Sequence, residues 1–241
     1  MNLPIRQIGS LAKRIFRVLQ GREHLWLAEI DLHKETLGNS GANWCIAPDL
    51  LNEASVVYSF GVGHDVSFDL ELIAKFGLTV HAFDPSPRCL EWVKQQSLPS
   101  RFVLHEVGIG KIDGVQLFQA PAMASSVSFS MMRDGHFKTQ GIELPLSRLS
   151  TIMESLNHDH VDLLKLDIEG SEYEVIEDLL LSKLKVKQLL VEFHHSQRLG
   201  DLRETNEAVL KLKGAGYRIF NVSITGAEIS FCREGAPGIQ T

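Results

Sequence analysis

The alternation of apolar and polar positions from residue 54 onward divides the chain into strand-like and helix-like segments. Short apolar runs are each followed by a segment whose apolar residues recur every three or four positions. This order is typical of β-α units, which form a mostly parallel sheet with helices on both faces. The predicted strands comprise residues 55–60, 78–83, 102–107, 161–168 and 188–193.

Two segments depart from this alternation. Residues 217–223 and 227–232 flank Thr225-Gly226 and predict a terminal antiparallel hairpin. Residues 108–145 have no helical period, and their short alternating pieces predict either strands or a long excursion over the edge of the sheet. A long connection inside a compact domain is usually functional, so we expect this segment to contribute to specificity.

The composition fits one large α/β domain. The chain has 241 residues, of which 44% are hydrophobic and 22% are charged, and it contains no apolar run of the length that spans a membrane. Its net charge of −6 argues against nucleic acid as a general partner. Cys45, Cys89 and Cys232 are too widely spaced for a disulfide framework or a zinc site. They predict free thiols in a reducing compartment, the cytoplasm.

Positive charge is concentrated at the start of the chain, where residues 1–25 carry a net charge of +4 and the remainder carries −10. Apolar residues recur there every three or four positions, which predicts a basic amphipathic helix within an N-terminal extension, residues 1–43. The main domain then comprises residues 44–241. The helix is expected either to pack on its own domain or to lie on an anionic membrane or a partner.

A glycine-containing turn, formed by Phe60, Gly61, Val62 and Gly63, follows the first predicted strand and precedes a helix. Such a turn lets the backbone approach a nucleotide-like ligand. The third glycine of a dinucleotide fingerprint would fall at position 66, which is a valine. Asp65 would repel a pyrophosphate but suits the cationic amino group and sulfonium of S-adenosylmethionine. We therefore predict S-adenosylmethionine as the cofactor.

The second predicted strand ends in Asp84-Pro85, 21 residues after Gly63. An acid at that point can accept hydrogen bonds from both hydroxyls of a ribose, and charged acceptors form the stronger hydrogen bonds. NAD and S-adenosylmethionine share this requirement, so Asp84 does not discriminate between them. Glu106, near the end of the third strand, is predicted to flank the adenine. The predicted cofactor residues are Phe60, Gly61, Val62, Gly63, Asp65, Asp84, Pro85 and Glu106.

The densest group of reactive side chains surrounds the end of the fourth predicted strand. Asp167 and Glu169 follow its apolar residues, and Glu172 lies in the first turn of the next helix, where an acid is favourable to the helix dipole. The fifth strand ends near Glu192 and His194. Because the carboxyl ends of parallel strands meet at one edge of a sheet, we expect these side chains to face a ligand crevice.

These residues offer two routes for removing a proton from a substrate hydroxyl. Asp167, Glu169 or His194 can act as a general base; histidine has a suitable reference pKa, whereas a carboxylate needs burial to raise its own pKa. Alternatively, Asp167, Glu169 and Glu192 hold a divalent cation through oxygen ligands, and the cation acidifies the hydroxyl. The sequence leaves both routes open.

Four segments resemble the FkbM-type methyltransferases, class I enzymes that use S-adenosylmethionine. They are SVVYSFGVGHDVSFD, TVHAFDPSP, VDLLKLDIEGSEYEVI and LLVEFHH, in this order within residues 44–232. The resemblance implies a Rossmann-like fold with a seven-stranded, mostly parallel sheet and an antiparallel last strand. It also implies O-methylation of a hydroxyl on a sugar, a glycan or a secondary metabolite. On this chain it assigns the cofactor turn to residues 60–65, the ribose acid to Asp84, and the motif after the strand to residues 167–170.

Two other classes of protein compete with an O-methyltransferase. An NAD(P)-dependent oxidoreductase is disfavoured by Asp65, by the valine at position 66 and by the terminal hairpin. A non-catalytic binding protein would keep the cofactor fold and use the basic leader as an anchor. The partner expected of the enzyme is a small-molecule or glycan acceptor with a hydroxyl group, and peripheral membrane contact through residues 1–25 is a further hypothesis.

Overall fold

The structure is a computed structural model that describes residues 5–119, 130–131, 141–195 and 201–235. The helices in these ranges are α1 (Ile5–Leu19), α2 (Ser67–Phe76), α3 (Pro87–Lys94), α4 (Leu149–Ser155), α5 (Glu172–Leu181) and α6 (Leu202–Gly214). The strands are β1 (Glu35–Leu37), β2 (Trp44–Ile46), β3 (Val57–Phe60), β4 (Val80–Phe83), β5 (Phe102–His105), β6 (Gly108–Ile109), β7 (Gly114–Gln119), β8 (Ser130–Met131), β9 (Gly141–Ser147), β10 (Val161–Leu166), β11 (Val186–Glu192), β12 (Tyr217–Val222) and β13 (Glu228–Arg233).

The main sheet has seven strands in the order β12-β13-β11-β10-β3-β4-β5. The five strands from β11 to β5 are parallel, whereas β13 runs antiparallel to both of its neighbours. This confirms the predicted seven-stranded, mostly parallel sheet with a terminal antiparallel hairpin. The chain builds outwards from β3 to β5 and then crosses back to β10, so β3 and β10 flank the point at which the strand order reverses.

The burial of the central strands explains why they appear in the sequence as nearly continuous apolar runs. Every residue of β3 and β10 is buried, as expected for a parallel sheet that is covered on both faces. Tyr58 and Leu164 pack in one core with α4, α5 and α6. Val57 and Leu163 pack in a second core with α2 and α3. Helices therefore cover both faces of the sheet, as predicted.

The segment after β5 builds a second sheet, in the order β6-β9-β7-β8. Of the two predictions for residues 108–145, strands are confirmed, although residues 120–129 and 132–140 lie outside the described part of the chain. The third predicted strand is shorter than expected, because the chain leaves the main sheet after β5 and β6 pairs with β9 instead. Phe118, Leu144 and Leu146 form the small core of this second sheet.

The basic helix α1 docks on the main domain through its arginines. The buried guanidinium of Arg14 donates to the Glu23 carboxylate at 2.8 Å and to the carbonyl oxygen of Ser223 at 3.1 Å. Arg17 donates to Glu23 at 2.7 Å and to the carbonyl oxygen of Thr225 at 2.8 Å. Glu23 is itself buried, so the arginines supply the charge that a buried carboxylate requires. The helix therefore packs on its own domain, one of the alternatives predicted for it.

The short strands β1 and β2 form a hairpin that joins the N-terminal segment to the main sheet. The Gln188 side chain of β11 accepts from the N–H of Ala47 at 2.8 Å and donates to its carbonyl oxygen at 3.1 Å. The predicted boundary at residues 43 and 44 lies inside this hairpin. The three cysteines are buried free thiols, and no helix within the described ranges is both long and apolar enough to cross a membrane.

Candidate active site

A cavity of about 400 Å³ opens at the C-terminal ends of the parallel strands, where the strand order reverses. Its walls come from the glycine turn, the ends of β4, β10 and β11, the loop before β2, and the second sheet. A volume of this size is in the range of small-molecule sites. The predicted residues that line it are Phe60, Gly61, Val62, Gly63, Asp65, Asp84, Pro85, Asp167, Glu169 and Glu192.

The close approach of the chain after β3 to the end of β10 requires glycine at position 61. Gly61 has a φ of +80°, in the left-handed region that only glycine adopts at little cost. A Cβ atom on Gly61 would overlap the carbonyl oxygen of Asp167. A side chain at this position would therefore strain the turn and push the two strand ends apart.

Asp84 holds the glycine turn from the neighbouring strand. Its Oδ2 accepts from the backbone N–H groups of Val62 at 3.1 Å and Gly63 at 3.2 Å. Its Oδ1 accepts from the N–H of Ser86 at 2.9 Å and from the Ser86 hydroxyl at 2.6 Å. A carboxylate offers about four acceptor positions, and these four bonds use them. The contact of Asp84 with a ribose stays a prediction, and it requires one of these bonds to be exchanged.

Asp65 and Glu106, two more of the predicted cofactor residues, have different surroundings. Asp65 accepts from the N–H of Ser67 at 2.8 Å and from the Asn39 amide at 3.2 Å. Burial opposes its ionisation, yet these hydrogen bonds hold the pKa of Asp65 below its ordinary value. The exposed Glu106 carboxylate lies 3.5 Å from the Lys94 ammonium and is not part of the cavity wall. The structure thus brings Asp65 to the site but not Glu106.

Three carboxylates, those of Asp167, Glu169 and Glu192, line the cavity next to a buried histidine. The Nε2 atom of His194 lies 3.9 Å from Asp167 Oδ1, 3.6 Å from Glu169 Oε2 and 3.9 Å from Glu192 Oε1. His194 is only 2% exposed and is not part of the cavity wall. The structure therefore brings the predicted bases Asp167, Glu169 and His194 together. The carboxylates line the cavity, whereas the histidine lies behind them.

Glu172 fixes the other side of this histidine. It is fully buried, and its Oε1 lies 2.7 Å from Nδ1 of His194 and accepts from the N–H of Gly170 at 3.0 Å. The sequence predicted only a favourable position at the start of a helix for Glu172. The first turn of α5 instead directs this carboxylate into the core, where it orients the imidazole, because a hydrogen bond at one ring nitrogen sets the role of the other.

The concentration of negative charge raises two pKa values in the cluster. Burial opposes the protonation of His194, but the hydrogen bond to Glu172 and the charges of Glu172, Glu169 and Glu192 outweigh it and raise the pKa of His194. Burial, followed by the charge of Asp167, raises the pKa of Glu192. His194 is therefore an imidazolium near neutral pH and Glu192 holds a proton there, which leaves Asp167 and Glu169 as the proton acceptors.

The same cluster has donor atoms of the kind that bind a divalent cation. Ligand atoms of Asp167, Glu192 and His194 lie within 4.8 Å of one another, whereas the predicted set had Glu169 in the place of His194. Carboxylate oxygens and an imidazole nitrogen suit several divalent metals. A cation bound to Nε2 would replace the proton there, so the protonated and metal-bound forms of the cluster exclude one another.

Several residues of the cavity wall were not predicted. Most of them reach the cavity through contacts between distant segments, which local periodicity does not reveal. Lys165 did carry a signal, since it is a charged residue near the end of a strand whose other residues after Asp162 are all leucines. The residues in question are Asn43, Trp44, Asp69, Phe118, Leu146, Lys165 and Glu228.

The strand order of the main sheet, its antiparallel β13 and the glycine turn at the reversal point define a class I methyltransferase fold. The chain belongs to the family of the methyltransferase FkbM domain, whose model matches residues 26–219. The match begins within the segment that was predicted to be an extension, in agreement with the hairpin that joins this segment to the sheet.

Two curated relatives share the name probable methyltransferase-like protein 24. The protein from Rattus norvegicus is 29% identical over 140 residues, which cover 57% of this chain and 32% of the relative. The protein from Homo sapiens is 28% identical over 151 residues, which cover 62% and 35%, respectively. The matched region therefore spans about a third of the length of these curated relatives.

Two solved structures resemble the chain at low sequence identity. Methyltransferase FkbM from Methylobacillus flagellatus KT has a TM-score of 0.46 and 15% identity, over 76% of this chain and 44% of that chain. The fibrillarin pre-rRNA processing protein of Methanococcus jannaschii has a TM-score of 0.43 and 13% identity, over 76% and 68%.

Proposed function

We propose that the protein transfers a methyl group from S-adenosylmethionine to a hydroxyl group of a sugar, a glycan or a secondary metabolite. The observation that carries this proposal is that Asp167, Glu169 and Glu192 line the same cavity as the glycine turn. A hydroxyl loses its proton as it is methylated, and Asp167 and Glu169 are acceptors for that proton. Membership of the FkbM family supports methyl transfer and disfavours an NAD(P)-dependent oxidoreductase.

The residues around the turn fit S-adenosylmethionine better than a dinucleotide. When bound, this cofactor supplies a methyl group that its sulfonium charge has already activated. The ionised Asp65 and the carboxylates beyond it attract a cation and repel a pyrophosphate. Elsewhere in the cavity, Ile109, Phe118 and Leu146 provide an apolar wall that suits a heteroaromatic ring.

In this proposal Asp167 accepts the proton of the acceptor hydroxyl. Its side chain is 31% exposed, so a substrate can reach it, while its backbone is held against Gly61. His194, itself oriented by Glu172, holds the carboxylates in place as a buried cation. A general base contributes about 10²–10⁴-fold to the rate, whereas alignment contributes up to about 7–11 kcal/mol. Positioning is therefore the larger part of what this site supplies.

A divalent cation on Asp167, Glu192 and His194 is the alternative way to activate the hydroxyl, because it would lower the pKa of the hydroxyl directly. Dialysis against a chelator separates the two routes. Full activity after dialysis supports the carboxylate as the base. Loss of activity that magnesium or manganese restores supports the cation.

Turnover on defined acceptors tests the proposed reaction. The purified chain is incubated with S-adenosylmethionine that carries a labelled methyl group and with a panel of sugars, glycans and hydroxylated metabolites. We expect mass spectrometry to locate one added methyl group on an oxygen atom. Matched acceptors in which the hydroxyl is replaced by hydrogen are the controls. Binding of the cofactor without turnover on any acceptor would favour the non-catalytic binding protein.

We also propose that α1 places the enzyme on an anionic membrane surface. Arg14 and Arg17 use the polar side of the helix for docking on the domain, whereas Ile15, Phe16 and Leu19 are exposed. An amphipathic helix usually buries its apolar residues against its own domain, whereas these three are exposed. Exposed apolar side chains on a basic helix are typical of helices that lie in the lipid headgroup region.

The residues next to α1 extend the same surface. Leu25 and Leu27 are exposed apolar side chains in the segment that follows the helix. Lys13 and Arg22 are also exposed, and they add positive charge that Glu23 does not neutralise. This combination of apolar area and positive charge supports a membrane that contains anionic lipids.

A further inference from the structure

Two buried residues of opposite charge line the cavity without a part in the proposed proton transfer. Lys165 is 5% exposed and Asp69 is 3% exposed, and both belong to the cavity wall together with Trp44. Lysine and aspartate are almost never this buried unless they are paired. Each therefore requires an explanation from its own contacts.

The charged ammonium group of Lys165 lies at the C-terminal end of β3. Its ammonium donates to the carbonyl oxygens of Gly61 at 2.7 Å and Phe60 at 3.2 Å, and it lies 5.2 Å from the centre of the Trp44 ring. The Asp167 carboxylate is 3.7 Å away, beyond hydrogen-bond distance. An ammonium has three donors; two of them are used by these carbonyl oxygens, and the third has no hydrogen-bond acceptor among the contacts of the described residues, where Asp167 contributes charge only.

Asp69 lies on α2, shortly after the glycine turn, and has an unused acceptor. Its Oδ1 has no hydrogen-bond partner among the described residues. Burial raises the pKa of Asp69, although the charge of Lys165 and the neighbouring Ser59 hydroxyl oppose the shift. A buried acceptor without a partner costs about 1–3 kcal/mol. A ligand that donates a charged hydrogen bond would remove this cost.

We propose that Lys165 and Asp69 form the subsite for the amino-acid end of S-adenosylmethionine. The Lys165 ammonium binds the carboxylate of the cofactor, and the Asp69 carboxylate accepts from the amino group of the cofactor. This inference rests on the proposed function. Two positions in the cavity are already assigned, since Asp84 is the predicted ribose contact and Asp167 marks the reacting atoms. The remaining charged pair matches the remaining charged part of the cofactor.

The alternative is that the two residues only neutralise one another inside the fold. Both explanations require the charges, but only a subsite distinguishes ligands that differ in their amino-acid end. Three ligands make this comparison: S-adenosylhomocysteine carries both groups, decarboxylated S-adenosylmethionine lacks the carboxylate, and 5′-methylthioadenosine lacks both. Their affinities for the full chain are measured by titration calorimetry, so no turnover is required.

The wild-type chain is expected to bind S-adenosylhomocysteine at least tenfold more tightly than 5′-methylthioadenosine. Lys165→Met should lower the affinity for S-adenosylhomocysteine at least tenfold and lower the affinity for each of the other two ligands by no more than about twofold. Asp69→Asn should lower the affinity for both ligands that carry the amino group at least fivefold and leave the affinity for 5′-methylthioadenosine unchanged. Lys211→Met removes an exposed lysine of α6 and is the matched control, with no change for any ligand.

Several results would overturn the inference. An equal loss for all three ligands in Lys165→Met shows a structural role, and an unchanged affinity for S-adenosylhomocysteine shows no role at the site. If Lys165→Met does not fold, Lys165→Gln is measured in its place. The wild-type chain also tests the inference by itself, because equal affinities for the three ligands would contradict a charged subsite. If the wild-type chain binds none of the three ligands, the proposed use of S-adenosylmethionine is contradicted as well. If it still binds 5′-methylthioadenosine, only the proposed subsite is contradicted.

Discussion

Asp84 connects the glycine turn with the strand beside it, through hydrogen bonds from Val62, Gly63 and Ser86. Its removal therefore affects the fold and not the ligand alone. The same holds at Gly61, where the absence of a side chain lets two strand ends meet. At the scale of single residues, the site is held mainly by contacts between side chains and the backbone.

Asp84→Asn should lower both stability and cofactor affinity. The amide places an N–H donor opposite backbone N–H groups that donate to the carboxylate in the wild type, so at least one of these N–H groups loses its acceptor. We expect a loss of about 1–3 kcal/mol in urea unfolding, together with weaker binding of S-adenosylhomocysteine in calorimetry. The control is Asp49→Asn, at a side chain that is 72% exposed, which should change stability by less than about 0.5 kcal/mol. Unchanged stability with weaker binding would limit Asp84 to a ligand contact.

Asp167→Asn should lower kcat at least about tenfold and change the affinity for S-adenosylhomocysteine less than the rate. The substitution keeps the size of the side chain but removes the charge that accepts the proton, and that interaction matters mainly in the transition state. Single-turnover kinetics and calorimetry give the two quantities. Glu177→Gln, at a side chain of α5 that is 54% exposed, is the control. Wild-type turnover in Asp167→Asn would contradict the assignment of Asp167.

Among the elements, α1 and the second sheet have positions that their sequences do not specify. The helix uses its arginines for docking because Glu23 and the carbonyl groups of the β12–β13 turn accept from them. Ile15, Phe16 and Leu19 are exposed in this arrangement. The second sheet contributes Phe118 and Leu146 to the cavity, although it is separate from the main sheet.

Replacement of both Phe16 and Leu19 with serine should weaken binding to vesicles that contain anionic lipid. Burial of each side chain in the membrane contributes about 1.5–3 kcal/mol, so we expect at least a tenfold loss in co-sedimentation. Added salt should weaken binding of the wild-type chain, because charge attraction contributes. The control pair is Leu181→Ser with Leu210→Ser, at exposed leucines of α5 and α6.

If the Phe16 and Leu19 variant and the Leu181 and Leu210 variant lose vesicle binding equally, a membrane contact through α1 is contradicted. Equal binding of the wild-type chain to neutral and anionic vesicles would contradict the contribution of its positive charge. Dimers that form without vesicles and dissociate in the Phe16 and Leu19 variant would assign this surface to a second copy of the chain.

At the scale of the whole molecule, three histidines from distant segments pack near Tyr58 on one side of the main sheet. His81 Nδ1 lies 3.0 Å from His105 Nε2, and the Tyr58 hydroxyl lies 2.7 Å from His158 Nδ1. Burial, followed by the nearby His105 and His158, lowers the pKa of His81 to about 4. Burial also lowers the pKa values of His105 and His158. The cluster is neutral in the folded protein near neutral pH.

The stability contributed by this neutral cluster should be lost in mild acid. The pKa of histidine in the unfolded chain is about 6.5, above the folded value of His81, so the unfolded state binds more protons below pH 6.5 or so. Stability is then lost as the pH falls from about 6.5 towards 4. His81→Gln cannot take up this proton, so the Tm of the wild type relative to that of the variant should fall between pH 7 and 5.

The comparison of Tm values removes other titrating groups. His194 has a raised pKa and acts in the opposite direction, but it is present in both proteins and cancels in the difference. His33→Gln, at a side chain that is 64% exposed, is the control and should follow the wild type. A difference between wild type and His81→Gln that does not depend on pH would contradict the prediction.

Local periodicity was sufficient to predict the class of fold and where several charged residues lie relative to the sheet. The strands β3, β4, β10 and β11 are nearly continuous apolar runs because helices cover both of their faces, and this pattern survives in the sequence. The ends of such strands meet at one edge, and Asp84, Asp167 and Glu192 do line the cavity there, while their roles stay predictions. These predictions depend only on the spacing of residues along one segment.

The tertiary structure decided what depends on contacts between distant segments. The sequence placed Glu172 at a helix dipole and offered His194 as one of three candidate bases, and the fold buries both residues and joins them in a hydrogen bond. The sequence left open whether α1 packs on its own domain or on another surface, and its docking follows from the buried Glu23 that two arginines neutralise. Burial and charge are properties of the assembled molecule, so a segment's own sequence determines which element it forms, whereas only the packed fold determines what its side chains meet.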